Sequence, residues 1–150
     1  MSDDLYERDV LIWSEQQADL LRRLAAGDKS VMAAIDWENV VEEVENVGRH
    51  GLIEFGSFLM KAMLLLMRAR VESAEDWGER LEGEVLEAAL RDAPSVRERV
   101  DLQDEYESAV HIFAADYPEQ AKRLPDRCPF TLDDLLVQTP DIAALSARLR

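Results

Sequence analysis

The sequence predicts an all-α fold, a single-domain bundle of about five to seven helices around a central apolar helix at residues 52–70. Three observations predict it. Apolar residues recur at helical spacing along nearly the whole chain, and no run alternates with period two for long enough to make a strand. The stretch "LIEFGSFLMKAMLLLMRAR" is apolar almost all round, as a helix enclosed by other helices must be. The chain has 150 residues, the size of one ordinary domain, enough to bury about 68–70% of its unfolded surface without a staple.

The first helix is expected over residues 4–26. Leu5, Tyr6, Val10, Trp13, Gln17, Leu20, Leu21 and Leu24 share one broad face, and Gly27 stands where a left-handed C-terminal cap is wanted. A connector, "KSVMAAI", follows. The next stretch, "DWENVVEEVENVG", reads as a second helix with Asp36 as N-cap, able to accept from the free amides of Glu38 or Asn39. Ile35 and Val40 are placed for a hydrophobic staple. Trp37, Val40, Val41, Val44 and Val47 form the apolar stripe, and this predicts that they are buried. Glu38, Glu42 and Glu45 cluster on one side of the stripe, and Glu43 lies on the other. Arg49 follows Glu45 by four residues, which suits a partly buried ion pair at a helix junction near Gly48 and His50.

In the central helix, Met60, Met63 and Met67 are read as flexible core fillers rather than the lining of a ligand cavity. Lys61 and Glu54 argue against a membrane span. A fourth helix opens at a capping box of Ser73 and Asp76 and stops before Pro94; a fifth opens at Ser95 and Glu98 and runs to Tyr117. Tyr106, Val110, Phe113 and Tyr117 are its inward face. A turn-rich loop, "LPDRCPF", leads to a short helix capped by Thr131 with Asp134. Residues 138–150 add an appended C-terminal helix, with Thr139 as cap and Pro140 at the first helical position.

Net charge is −15, from 32 acidic and 17 basic residues. Residues 1–48 carry −8 and residues 73–118 carry −9, whereas residues 49–72 carry +2. Two acidic blocks repel phosphate backbones, so direct nucleic-acid binding is not expected, and they attract a basic protein partner or a cation. One cysteine, Cys128, cannot pair internally, and no apolar run behind basic residues opens the chain, so the expected compartment is the cytoplasm.

Several chemistries lack their parts. Gly48, Gly51 and Gly56 form no phosphate loop and are better explained by close helix contact. There is no paired-cysteine zinc pattern and no Glu-x-x-His for a di-metal bundle. Cys128 has no local catalytic signature, and is read as a packed loop thiol. His111 follows Glu107 by four residues with Asp104 nearby, a solvated pair. Glu38, Glu42 and Glu45, with His50, are the one candidate metal or small-molecule site, since hard cations need only oxygen ligands; a solvated helix flank is the preferred reading. No catalytic residue and no cofactor is implied.

The order "LYERDVLIWSEQQADLLRR", "IDWENVVEEVENVGR", the apolar helix, a helix carrying Trp77, "APSVRERV" and "CPFTLDDLL" resembles the bacterial family of domain of unknown function 29 over residues 4–137. The resemblance implies a small, cytosolic, helical protein and no assigned activity. Its members often carry a histidine in the third helix shortly before a basic residue; here Leu64, Leu65 and Leu66 precede Met67 and Arg68. A metal held through that histidine would have lost a ligand in this chain. Together these features point to a non-enzymatic protein-interaction module that permits a homodimer. The alternatives are a carboxylate metal or small-molecule site with hydrolytic activity, and an acidic inhibitor of a basic partner.

Overall fold

The computed structural model describes residues 3–72 and 76–150. The Ser73 half of the expected fourth-helix cap lies outside them. All regular structure among the described residues is helical, with nine α-helices and one 3-10 helix, and no strand. The chain divides into two compact units, residues 1–49 and 50–150.

In the first unit, α1 (Asp3–Arg8) and α2 (Val10–Ala25) replace the continuous helix expected over residues 4–26. The break falls at Asp9, whose carboxylate accepts from the Ile12 amide at 3.1 Å and caps α2. An aspartate in a helix interior competes for backbone donors in this way, and here it restarts the helix. Gly27 closes α2 with φ +99°, as its position predicted. The amide of Asp28 reaches Arg23 O at 3.0 Å and that of Gly27 reaches Leu24 O at 2.9 Å, the paired bonds of a Schellman motif. The "KSVMAA" connector is itself ordered as the 3-10 helix Lys29–Ala34.

Helix α3 (Trp37–Arg68) is 32 residues long and joins the two helices expected at residues 36–48 and 52–70. No junction exists at Gly48 and His50. A glycine inside a helix costs only about 1 kcal/mol relative to alanine, so two of them weaken a long helix without ending it. A methyl group added at Gly48 or Gly51 would meet nothing within 4 Å, so close helix contact does not explain them; Gly56 does face a neighbour, the Glu105 carboxylate. Burial raises the Glu105 pKa, and the nearby charges of Asp104 and Asp101 add to it.

The second unit builds its core on the rest of α3, where Phe55, Leu59, Met63, Leu66 and Met67 are all at most 1% exposed. Packed on them are α4 (Trp77–Leu90), through Leu81 and Val85, and α6 (Leu102–Asp116), through Tyr106 and Phe113. α3 is long and apolar enough to cross a membrane by length and composition, a property that the core helix of a soluble protein shares, and 39% of its most apolar 18-residue window is buried. The fifth helix expected from residue 95 to Tyr117 is two: α5 (Pro94–Arg99) and α6. Asp101 separates them by capping α6, accepting from the amides of Gln103 and Asp104. Ser95 lies inside α5 and Ala93 is its N-cap, because Pro94 takes the first helical position and shifts the start. The expected inward face holds: Tyr106 and Phe113 are buried, Val110 and Tyr117 partly so, and Tyr106 donates to Pro125 O at 2.8 Å.

Three short helices finish the chain: α7 (Pro118–Ala121), α8 (Leu132–Leu135) and α9 (Ile142–Ser146). Thr131 and Asp134 form the reciprocal capping box that their spacing predicted. α9 starts two residues later than Pro140 would set it, capped by Asp141 rather than Thr139. The aspartate accepts from the Ala144 amide at 3.0 Å. Leu145 and Leu149 anchor this tail in the core.

Candidate functional site

The first turns of α3, in the first unit, carry the candidate side chains. Their orientation follows from which residues face the unit's interior. Asn39, Val40, Glu43 and Asn46, spaced as one helix face, are half-buried. Tyr6 of α1 donates its hydroxyl to Glu43. That bond, with burial and the charges of Glu43, Glu42 and Asp36, pushes the Tyr6 hydroxyl up to about 12. Tyr6 also meets the Trp13 ring edge-on at 4.8 Å between centroids.

Below this contact lies a buried polar knot. Asp36 is 8% exposed. Its carboxylate accepts from the Trp13 indole at 3.0 Å and from the Asn39 amide at 2.8 Å, while its backbone amide donates to Gln17 Oε1 at 2.9 Å. Asp36 O receives the first α3 bond, from Val40, so the residue starts the helix and also ties α2 to it. Sequence periodicity identified the helix start; it missed Trp13 and Gln17 as partners, because nothing local joins positions 13, 17 and 36.

Most of the apolar stripe expected to be buried is open, and of its five residues only Val40 is half-buried. Trp37 is 45% exposed, and Val41, Val44 and Val47 rise from 54% to 68% and 76%. The mixed polar face won the inward position because Glu43 and Asn39 find specific partners there, in Tyr6 and Asp36. Helical spacing puts Trp37, Val41, Val44 and Gly48 on one line of α3.

Glu38, Glu42 and Glu45 are exposed along one margin of this stripe, and His50 is also exposed. The partly buried Glu45–Arg49 pair does not form; Arg49 instead donates to Asn46 Oδ1 at 3.0 Å. With no junction at Gly48, there is no helix end to enclose such a pair. Among the described residues, no group of three or more His, Cys, Asp or Glu side chains is placed to hold a metal ion. Replacing Glu38, Glu42 and Glu45 together by glutamine should leave the melting temperature unchanged or slightly higher, because exposed like charges one turn apart repel. Differential scanning calorimetry with and without magnesium, calcium, manganese and zinc checks this. A melting temperature lowered only when the metal is present would favour the cation site instead.

The remaining candidates are placed less suggestively. His111 and Glu107 border a shallow groove of about 500 Å³ with Tyr106, Lys122 and Asp126. Glu107 accepts from Gln103 at 2.8 Å. Cys128 is half-buried, 3.8 Å from Met63 Sδ, and burial pushes its thiol up, the opposite of nucleophile activation.

Neither characterised proteins nor solved structures gave a match to this chain. A family model does match, described as domain of unknown function DUF29, over residues 5–139. The match spans nearly the whole chain, and the chain belongs to the DUF29 family.

Proposed function

We propose that the protein is a non-enzymatic interaction module that docks a basic amphipathic helix of another protein along the open stripe of α3. The exposure of Trp37, Val41 and Val44 in one line, with exposed Val47 at its edge, carries this reading. Such a line gains roughly 25 cal/mol per Å² when a second apolar surface covers it. Gly48 continues the line with open space above it, where a partner backbone can approach closely. The margin of the stripe decides the chemistry of the occupant. Glu38, Glu42 and Glu45 edge it in a block of net charge −8, which favours a helix whose apolar stripe is flanked by lysine or arginine. A second copy of this chain would bring the same acids together, with Arg49 as the one nearby cation in the stripe's own segment.

The test uses the full chain and two synthetic helical peptides with the same leucine stripe, one flanked by lysines and one by glutamates. Fluorescence anisotropy should show saturable one-to-one binding of the lysine peptide alone. Salt should weaken it, and Val44→Glu should abolish it while leaving the melting temperature unchanged. No binding, or binding undiminished in Val44→Glu, would overturn the proposal. A dimer seen by sedimentation and lost in Val44→Glu would reassign the stripe to self-association.

A further inference from the structure

A second feature lies in the other unit, where the end of α3, α6 and the segment after α7 leave a cavity of about 210 Å³. Met67 and Phe113, both buried, line it together with half-buried Leu124 and exposed Val71. Arg70, Arg123 and Gln120, all exposed, are the polar side chains that line it. The chain has nearly twice as many acids as bases, yet no acid lines this cavity.

The acids nearest in sequence already have partners. Asp116 holds Arg68 at 2.7 Å, Glu72 accepts from the Tyr117 hydroxyl at 2.7 Å, and Glu119 holds Lys122 at 2.6 Å. Arg70 is held in place by donating to the Leu149 carbonyl. The Arg123 guanidinium has no hydrogen bond or ion pair among the described residues.

We infer that this cavity binds a small organic oxyanion, a carboxylate or a phosphate monoester, bearing one compact apolar group. Guanidinium groups present paired N–H donors that match either oxyanion, and the apolar group would displace water from the Met67 and Phe113 side chains. The space equals about seven water volumes of roughly 30 Å³, below the usual size of a site for a drug-sized ligand or nucleotide cofactor. The inference does not depend on what docks on the α3 stripe, since the two features share no residue.

The experiment is isothermal titration of the full chain with benzoate and with phenyl phosphate. Inorganic phosphate and benzyl alcohol serve as probes that each carry half of the proposed chemistry. One of the two aromatic anions, or both, should bind at a single site, at least about tenfold more tightly than either half probe, and the preferred one tells carboxylate from phosphate. Arg123→Gln should weaken that binding about tenfold, as the loss of a charge-assisted hydrogen bond, without changing the melting temperature of the free protein. Gln120→Trp, which places a large side chain at the mouth, should block binding outright. The inference fails if neither aromatic anion binds more tightly than inorganic phosphate. It also fails if binding survives both Arg123→Gln and Gln120→Trp unchanged.

Discussion

Leu59→Asp is expected to abolish the cooperative thermal transition of residues 50–150. Leu59 is fully buried in α3, among the side chains that α4 and α6 pack against. Truncating such a leucine alone costs about 2–5 kcal/mol, and a carboxylate left there without a partner adds several more. A domain of this size has only about 5–15 kcal/mol in total, so the substitution consumes most or all of it. Val44→Asp, on an exposed position of the same helix, should melt as the parent does. Circular dichroism during heating distinguishes them. A sharp transition retained in Leu59→Asp would mean that α3 does not organise the core.

The second large effect is expected at Asp36. Asp36→Ala removes the acceptor of the Trp13 indole, in a side chain only 3% exposed, and the acceptor of the Asn39 side-chain amide. An orphaned buried donor costs about 1–3 kcal/mol, and the knot lies in the smaller unit, where the apolar core is thin. Hydrogen exchange should therefore rise across α1, α2 and the first turns of α3, while residues 55–67 keep their protection. Trp13→Phe should be milder, because it removes the donor together with the need for an acceptor. The double variant should cost less than the sum of the two single changes, which is the signature of one shared bond. Strict additivity in denaturant unfolding would show that Trp13 and Asp36 stabilise the unit independently.

Both expectations rest on placements that differ in how far they could be read from the chain. The central helix was legible because its apolarity on every side admits one environment, the interior of a helical protein. The caps at Gly27 and Thr131 were legible for a related reason, since a positive φ and a reciprocal capping box depend on residues within a few positions. Where two local rules competed, the boundary was misplaced. Asp9 and Asp101 broke helices that periodicity alone would continue, and Gly48 and Gly51 failed to break one.

The amino-acid sequence by itself determined the helical class, the position of the core helix, the two acidic blocks and membership in the DUF29 family. Periodicity states which residues share a helix face, and nothing in it states what covers that face. Only the tertiary structure decided that Asn39 and Glu43 turn inward while Val41 and Val44 face out, because the deciding bonds come from Asp36 and from Tyr6, 37 residues from Glu43. Only the tertiary structure, too, brought Arg70 and Arg123 to one cavity lined by Met67. Hydrogen-bond partners and cavity linings distant in the chain are set by how helices pack, a property of pairs of elements that no single stretch of residues carries.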